Sequence, residues 1–188
     1  MVLQILKFVA GWATILLEGR KDVPQNHRKA FEIAQIGAKK GCPACCGVLA
    51  RCFYNGYGCS QDKSKAFHLA KKSADAGSCY GYFILGWNTY DDGQNYDAII
   101  LWQKAADLGL AAAQVNLGFM FANGEGVRKD EKKAFQLYEM AADKKHPEGY
   151  VNLSRMYSHG IGVERDYDKA SHYACLAREA GNSSWLLA

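Results

Sequence analysis

Cys42-Pro43-Ala44-Cys45-Cys46 is the densest group of reactive side chains in the 188-residue chain. A Cys-x-x-Cys pair has the spacing of half a zinc site, or of a dithiol that opens and closes as a disulfide. A structural zinc site needs a second pair at comparable spacing, and none follows. A thioredoxin-like centre needs a strand–helix–strand frame, which the helical pattern of this chain does not supply. The other four of the seven cysteines, Cys52, Cys59, Cys79 and Cys175, are dispersed. Cys52 and Cys59 are near enough across a turn that their pairing stays open. The five histidines, His27, His68, His146, His159 and His172, are scattered without ligand spacing. No phosphate-cradling glycine loop, nucleophile elbow, H-E-x-x-H helix or paired-carboxylate constellation occurs. These residues predict no catalytic centre and no cofactor, with a cysteine-based metal or redox protein as an alternative.

The elements that position these residues repeat. A helical alanine recurs at Ala30, Ala66, Ala98, Ala134 and Ala170, spaced 36, 32, 36 and 36 residues. Eleven residues after each stands Gly41, Gly77, Gly109, Lys145 or Gly181. Periods in this range mean stacked supersecondary units, none of which buries its apolar face alone. In the best units a first helix ends in a two-glycine turn, Gly56 and Gly58, Gly124 and Gly126, Gly160 and Gly162. Asp62, Asp130 and Asp166 sit four residues before the repeat alanine, with Asn26 at the same place in the first unit. Each is a predicted N-cap of a second helix, and the following glycine its C-terminal stop. Small residues such as Ala66, Ala70, Ala134 and Ala141 mark helix crossings, with Trp102, Phe135 and Tyr138 filling the gaps. Cys45 takes the small buried place of Gly81, Ala113 and Gly149, so it reads as packing, whereas Cys175 aligns with polar residues and is expected exposed.

The run from Ala113 through Leu117, Gly118, Phe121, Gly124, Gly126, Val127, Asp130, Ala134, Tyr138, Ala141 and Ala142 resembles a Sel1-like repeat, the relative of the tetratricopeptide repeat. The resemblance implies an all-α chain forming a right-handed α-solenoid of about five helix-turn-helix repeats. These fall roughly at 5–40, 41–76, 77–108, 109–144 and 145–180 of a single domain 1–188, with 181–188 as a C-terminal cap. It also implies a protein-binding role as adaptor, scaffold or inhibitor, one instance being a bacterial immunity protein that neutralises a secreted type VI effector. Two departures stand out. The third repeat lacks four residues, having Asp91 to Asn95 in place of the two-glycine turn. Lys145 replaces a stop glycine, so the helix before it is expected to end differently, with Pro147 enforcing the stop.

First helices line the concave wall of such stacks, the expected partner surface. Residues three, seven and ten of a repeat share one helical face. That face carries Tyr80, Ile84 and Trp87 in the third repeat, Asn116 and Phe119 in the fourth, Asn152 and Arg155 in the fifth, and Arg51 in the second. Tyr54, Asn88, Tyr90 and Asn123 extend it towards the loops. Aromatics flanked by arginines are enriched at binding hot spots, although Trp87 and Phe119 have inter-repeat packing as an equal alternative.

Composition narrows the rest. The net charge of +4, from 23 basic and 19 acidic residues, is dispersed and forms no basic stripe, so no nucleic-acid partner is expected. Phe8 to Leu17 is apolar but too short to span a bilayer, so no membrane insertion is expected. An odd number of cysteines with an exposed thiol favours a reducing compartment and hence the cytoplasm, the periplasm remaining open if an export signal precedes the chain.

Overall fold

The computed structural model describes residues 2–19 and 23–180, so the cap expected at 181–188 lies outside the described residues. Among these residues ten helices follow one another: α1 Val2–Glu18, α2 His27–Lys39, α3 Pro43–Asn55, α4 Lys63–Asp75, α5 Cys79–Asp91, α6 Asn95–Asp107, α7 Ala111–Asn123, α8 Glu131–Asp143, α9 Pro147–His159 and α10 Tyr167–Glu179. They form two compact units, Met1–Leu108 with three helix pairs and Gly109–Ala188 with two. In each unit every odd-numbered helix packs antiparallel on its even-numbered successor, and neighbouring odd-numbered helices touch.

The caps set the helix lengths. Asn26, Asp62, Asp130 and Asp166 each accept the backbone N–H three residues on, at 2.9–3.0 Å. These bonds satisfy donors that an α-helix start otherwise leaves orphaned. At the corresponding place before α6, Gln94 makes no side-chain cap. The four-residue deletion of the third repeat is absorbed wholly in the link, since α5 and α6 keep thirteen residues each. Asp92, Gly93 and Gln94 alone connect them, with Gly93 at φ 77°.

Lys145 corrects one expectation. The helix before it ends as its glycine-stopped counterparts do, because Lys145 itself adopts φ 60° and its N–H bonds Ala142 O at 2.7 Å. It is the one non-glycine residue with positive φ among the described residues. A β-carbon in the left-handed region costs about 1–2 kcal/mol, so the hydrogen-bonded turn overrides the residue's preference.

Within each repeat the first and second helices cross at matched small residues. Ala66, Ala98 and Ala134 are fully buried. Volume at the crossing is exchanged between partners. Where the first helix has Gly86 or Gly118, the second helix has Trp102 or Tyr138 against it. Where it has Ala50 or Ser154, the second helix has Ala70 or Ala174. Trp102 is 1% exposed and its indole N–H donates to Phe83 O at 3.1 Å.

Replacing Lys145 with glycine removes the strained side chain at the cost of a more flexible unfolded chain. The expected net gain is about 0.5–1 kcal/mol, read as a melting temperature raised by about 1–4 °C. An unchanged or lower melting temperature would show that the turn carries no such strain.

Candidate functional site

In the first unit α1, α3 and α5 lie side by side, and their shared face is crossed by polar bridges. Arg51 Nη1 of α3 meets Glu18 Oε1 of α1 at 2.7 Å. Tyr54 of α3 donates its hydroxyl to Asp91 Oδ2 of α5 at 2.7 Å, and Lys63 Nζ meets the same oxygen at 2.6 Å. Burial, then the hydrogen bond to Asp91, pushes the Tyr54 hydroxyl well above its ordinary range. At Asp91 burial acts upward, but Lys63 and Tyr54 more than offset it and the carboxyl lies below its usual value. Tyr80 of α5 reaches across α3 to accept the Thr14 hydroxyl of α1 at 3.3 Å. This crossing depends on Gly47, because a β-carbon there would collide with Tyr80 Cβ and lie 2.9 Å from Ser73 Oγ.

Trp87 belongs to an aromatic group. Its ring meets Trp102 edge-on at 5.3 Å, Tyr90 at 5.9 Å and Phe83 at 6.4 Å. It is half-buried, so one part packs within the repeat and the rest faces out. Ile84 is 1% exposed and does not present a surface. Val48, at the same repeat position, is equally covered, packed in the cluster that includes Leu16 and Leu17 of α1. At Val48 the middle of the predicted face is thus where first helices press on one another. Asn88 turns its amide back to Ile84 O at 2.9 Å.

In the second unit the predicted residues stand on α7 and α9. Phe119 is 43% exposed, and Asn123 and Arg155 are exposed. Arg155 Nη2 reaches Asn152 Oδ1 at 3.4 Å, while Asn152 Nδ2 donates to Glu148 O at 2.9 Å. Asn116 is half-buried, and its amide nitrogen has no hydrogen-bond partner among the described residues. The structure therefore joins Arg51 with Glu18, Tyr54 with Asp91, Trp87 with Tyr90 and Asn152 with Arg155, and removes Ile84 from the surface. Glu18, Lys63 and Asp91 complete the bridges, yet no spacing rule pairs them, since each partner lies on another helix. Phe8 and Trp12 of α1, 78% and 49% exposed, were also hidden, inside an apolar run that reads as core.

The cysteine group is packed. Cys42 Sγ caps α3 by accepting the Cys45 N–H at 3.4 Å, and Cys45 Sγ rests against Gly37. All seven cysteines are free thiols, and no three potential ligands converge for a metal ion among the described residues. Burial, then neighbouring Cys42, pushes the Cys45 thiol up to about 12, and burial does the same at Cys52. No helix of the described residues is long and apolar enough to cross a membrane.

Two outcomes are expected. Gly47→Ala lowers stability by about 1–3 kcal/mol through overpacking at Tyr80, measurable by chemical denaturation. An undiminished midpoint would show that Tyr80 moves aside freely. Under a maleimide pulse at about pH 8, exposed Cys175 is modified first and Cys45 and Cys52 only on unfolding, read by peptide mass spectrometry. Rapid labelling of Cys45 in the folded protein contradicts its packed role.

The sequence profile of the Sel1 repeat matches residues 9–42, 43–78, 81–110, 111–146 and 147–182. An exopolysaccharide production negative regulator of Rhizobium leguminosarum bv. viciae is 28% identical over 74 residues, covering 39% of this chain and 28% of that protein. The fold is similar to a Sel1 repeat protein from Oxalobacter formigenes, with a TM-score of 0.71 and 23% identity over 96% of this chain and 73% of that one. It is also similar to an immunity protein from Pseudomonas aeruginosa, with a TM-score of 0.65 and 20% identity over 97% of this chain and 67% of that one. Sel1 repeats mediate protein–protein interaction and are typically a non-catalytic module. Matched five times over, with the first four matches ending where one helix pair gives way to the next, the chain belongs to the Sel1 repeat family.

Proposed function

We propose that this chain is an adaptor or inhibitor without chemistry of its own, engaging a protein partner through the outward faces of its first helices. The observation that carries this reading is Phe119. Its ring is 43% exposed on α7, and exposed Arg155 stands on the adjoining first helix α9. Aromatic and arginine side chains dominate the energetics of protein interfaces. In the first unit Arg51, Tyr54, Trp87 and Tyr90 are half-buried on first helices and already held by bridges and ring contacts, which lowers the entropy lost on binding.

A narrower reading is an immunity protein that occludes a secreted antibacterial effector. The likeness in fold to immunity proteins from Pseudomonas aeruginosa favours it. The cysteine-based metal or redox alternative has less in its favour, because the thiols are packed and no three ligands converge among the described residues.

The test is affinity capture with the intact chain and with a Phe119→Ala/Arg155→Ala variant whose circular dichroism matches the wild type. A stoichiometric protein captured by the wild type and weakened at least tenfold in the variant, about 1.4 kcal/mol, supports the first-helix surface. Equal capture by both places the interface elsewhere. Inhibition of a captured toxin would single out the immunity reading.

A further inference from the structure

Comparison of the repeats reveals, in three of them, a lysine from the second helix or its end beside one position of the first helix. The residue five places after the turn that precedes each first helix faces the repeat's own second helix, and it is Cys46, Tyr82, Gln114 or Tyr150. In the third repeat Lys104 Nζ of α6 lies 5.5 Å from the Tyr82 ring centroid. In the fourth, Met140 holds the place of Lys104, and Lys144, one turn further on, brings its Nζ to the Gln114 side-chain amide at 2.9 Å. In the second, the Lys72 charge bears on Cys46 and counters the rise that burial causes in that thiol. In the fifth, Leu176 occupies the place of Lys104, and no lysine stands over the Tyr150 ring among the described residues.

Instead a cleft of about 670 Å³ opens between α8 and α10 over the start of α9. Tyr150 and Tyr173 form one wall, their rings 6.2 Å apart and inclined by 28°. Glu139 and Asp143, one turn apart on α8, form the other, and neither is ion-paired among the described residues. Burial, then the Asp143 charge, pushes the Glu139 carboxyl up. Met140, 48% exposed, also lines the cleft with a polarizable thioether. Lys145 and His172 also line the cleft.

We propose that this cleft takes a basic side chain of a protein partner, lysine or arginine, with its cation on Tyr150 where the third repeat holds Lys104 on Tyr82. Ring faces and carboxylates attract the same charge, and a partly closed cleft strengthens both. The inference rests on the protein-binding reading above but uses a separate surface, that of the second helices.

The probe is Nα-acetyl-lysine-N-methylamide, titrated into the intact chain and followed by NMR, with Nα-acetyl-glutamate-N-methylamide as the anionic control. Saturating shifts are expected at the Tyr150 and Tyr173 rings and the Glu139 and Asp143 amides, in the millimolar range for a lone side chain, with none from the control. Leu176→Lys restores the internal cation and is expected to weaken the probe by roughly fivefold or more. Glu139→Gln/Asp143→Asn does the same without adding a cation and serves if the first variant does not fold. Absence of saturation, equal binding of the glutamate probe, or full binding in a folded variant overturns the proposal. The titration needs no partner and leaves Phe119 and Arg155 untouched, so it fails or stands apart from the capture experiment.

Discussion

The structure depends on close helix approach at positions where side chains are reduced to a methyl group or a hydrogen. A thirteen-residue amphipathic helix is too short to be stable alone in water, so every helix here persists only by packing on its neighbours. Ala30, Ala34, Ala66, Ala70, Ala98, Ala134 and Ala141 are all fully buried at such contacts. The glycine-against-aromatic exchange at Gly86 with Trp102, and at Gly118 with Tyr138, keeps the crossing filled while changing what fills it. A packed interior tolerates that exchange because total volume, more than residue identity, has to be preserved.

That exchange reaches the surface. An indole sunk against Gly86 supports Trp87 edge-on and Tyr90 at a tilt of 41°, so an aromatic group assembled for packing also reaches the surface at these two half-buried rings. The absence of a side chain at Gly47 lets Tyr80 lie over α3 and reach α1, tying three first helices together. Charged groups follow a similar division. Glu18, Arg51, Lys63 and Asp91 are used on one another, while Glu139 and Asp143 form no ion pair among the described residues. Exposed ion pairs add little stability, so the bridged residues matter more for holding side chains in place than for holding the fold together.

Much of this was legible in order along the chain. The alanine series, the acids four residues before it and the glycines after it name the helix boundaries, because caps act within one turn and their partners are sequence neighbours. Lys145 shows where that reasoning stops: the residue type argued for a different ending, but a turn held by hydrogen bonds on both sides imposed φ 60° on it. Ile84 shows the same for the surface. A helical stripe says which residues share a face, but not which of them the neighbouring elements cover, and Ile84 and Val48 are buried while Asn116 and Asn152 stay half-exposed.

The sequence by itself determined the repeat, the helices, the family and the packed character of the cysteines, since each follows from spacing within about forty residues. Only the tertiary structure decided which surface residues meet. Glu18 finds Arg51 across 33 residues and Tyr54 finds Asp91 across 37, pairs set by helix stacking and not by any local pattern. The cleft beside Tyr150 needed both. The sequence supplies a leucine where another repeat has lysine, and the fold brings two carboxylates of the preceding helix to the same place, because stacked repeats juxtapose residues one period apart.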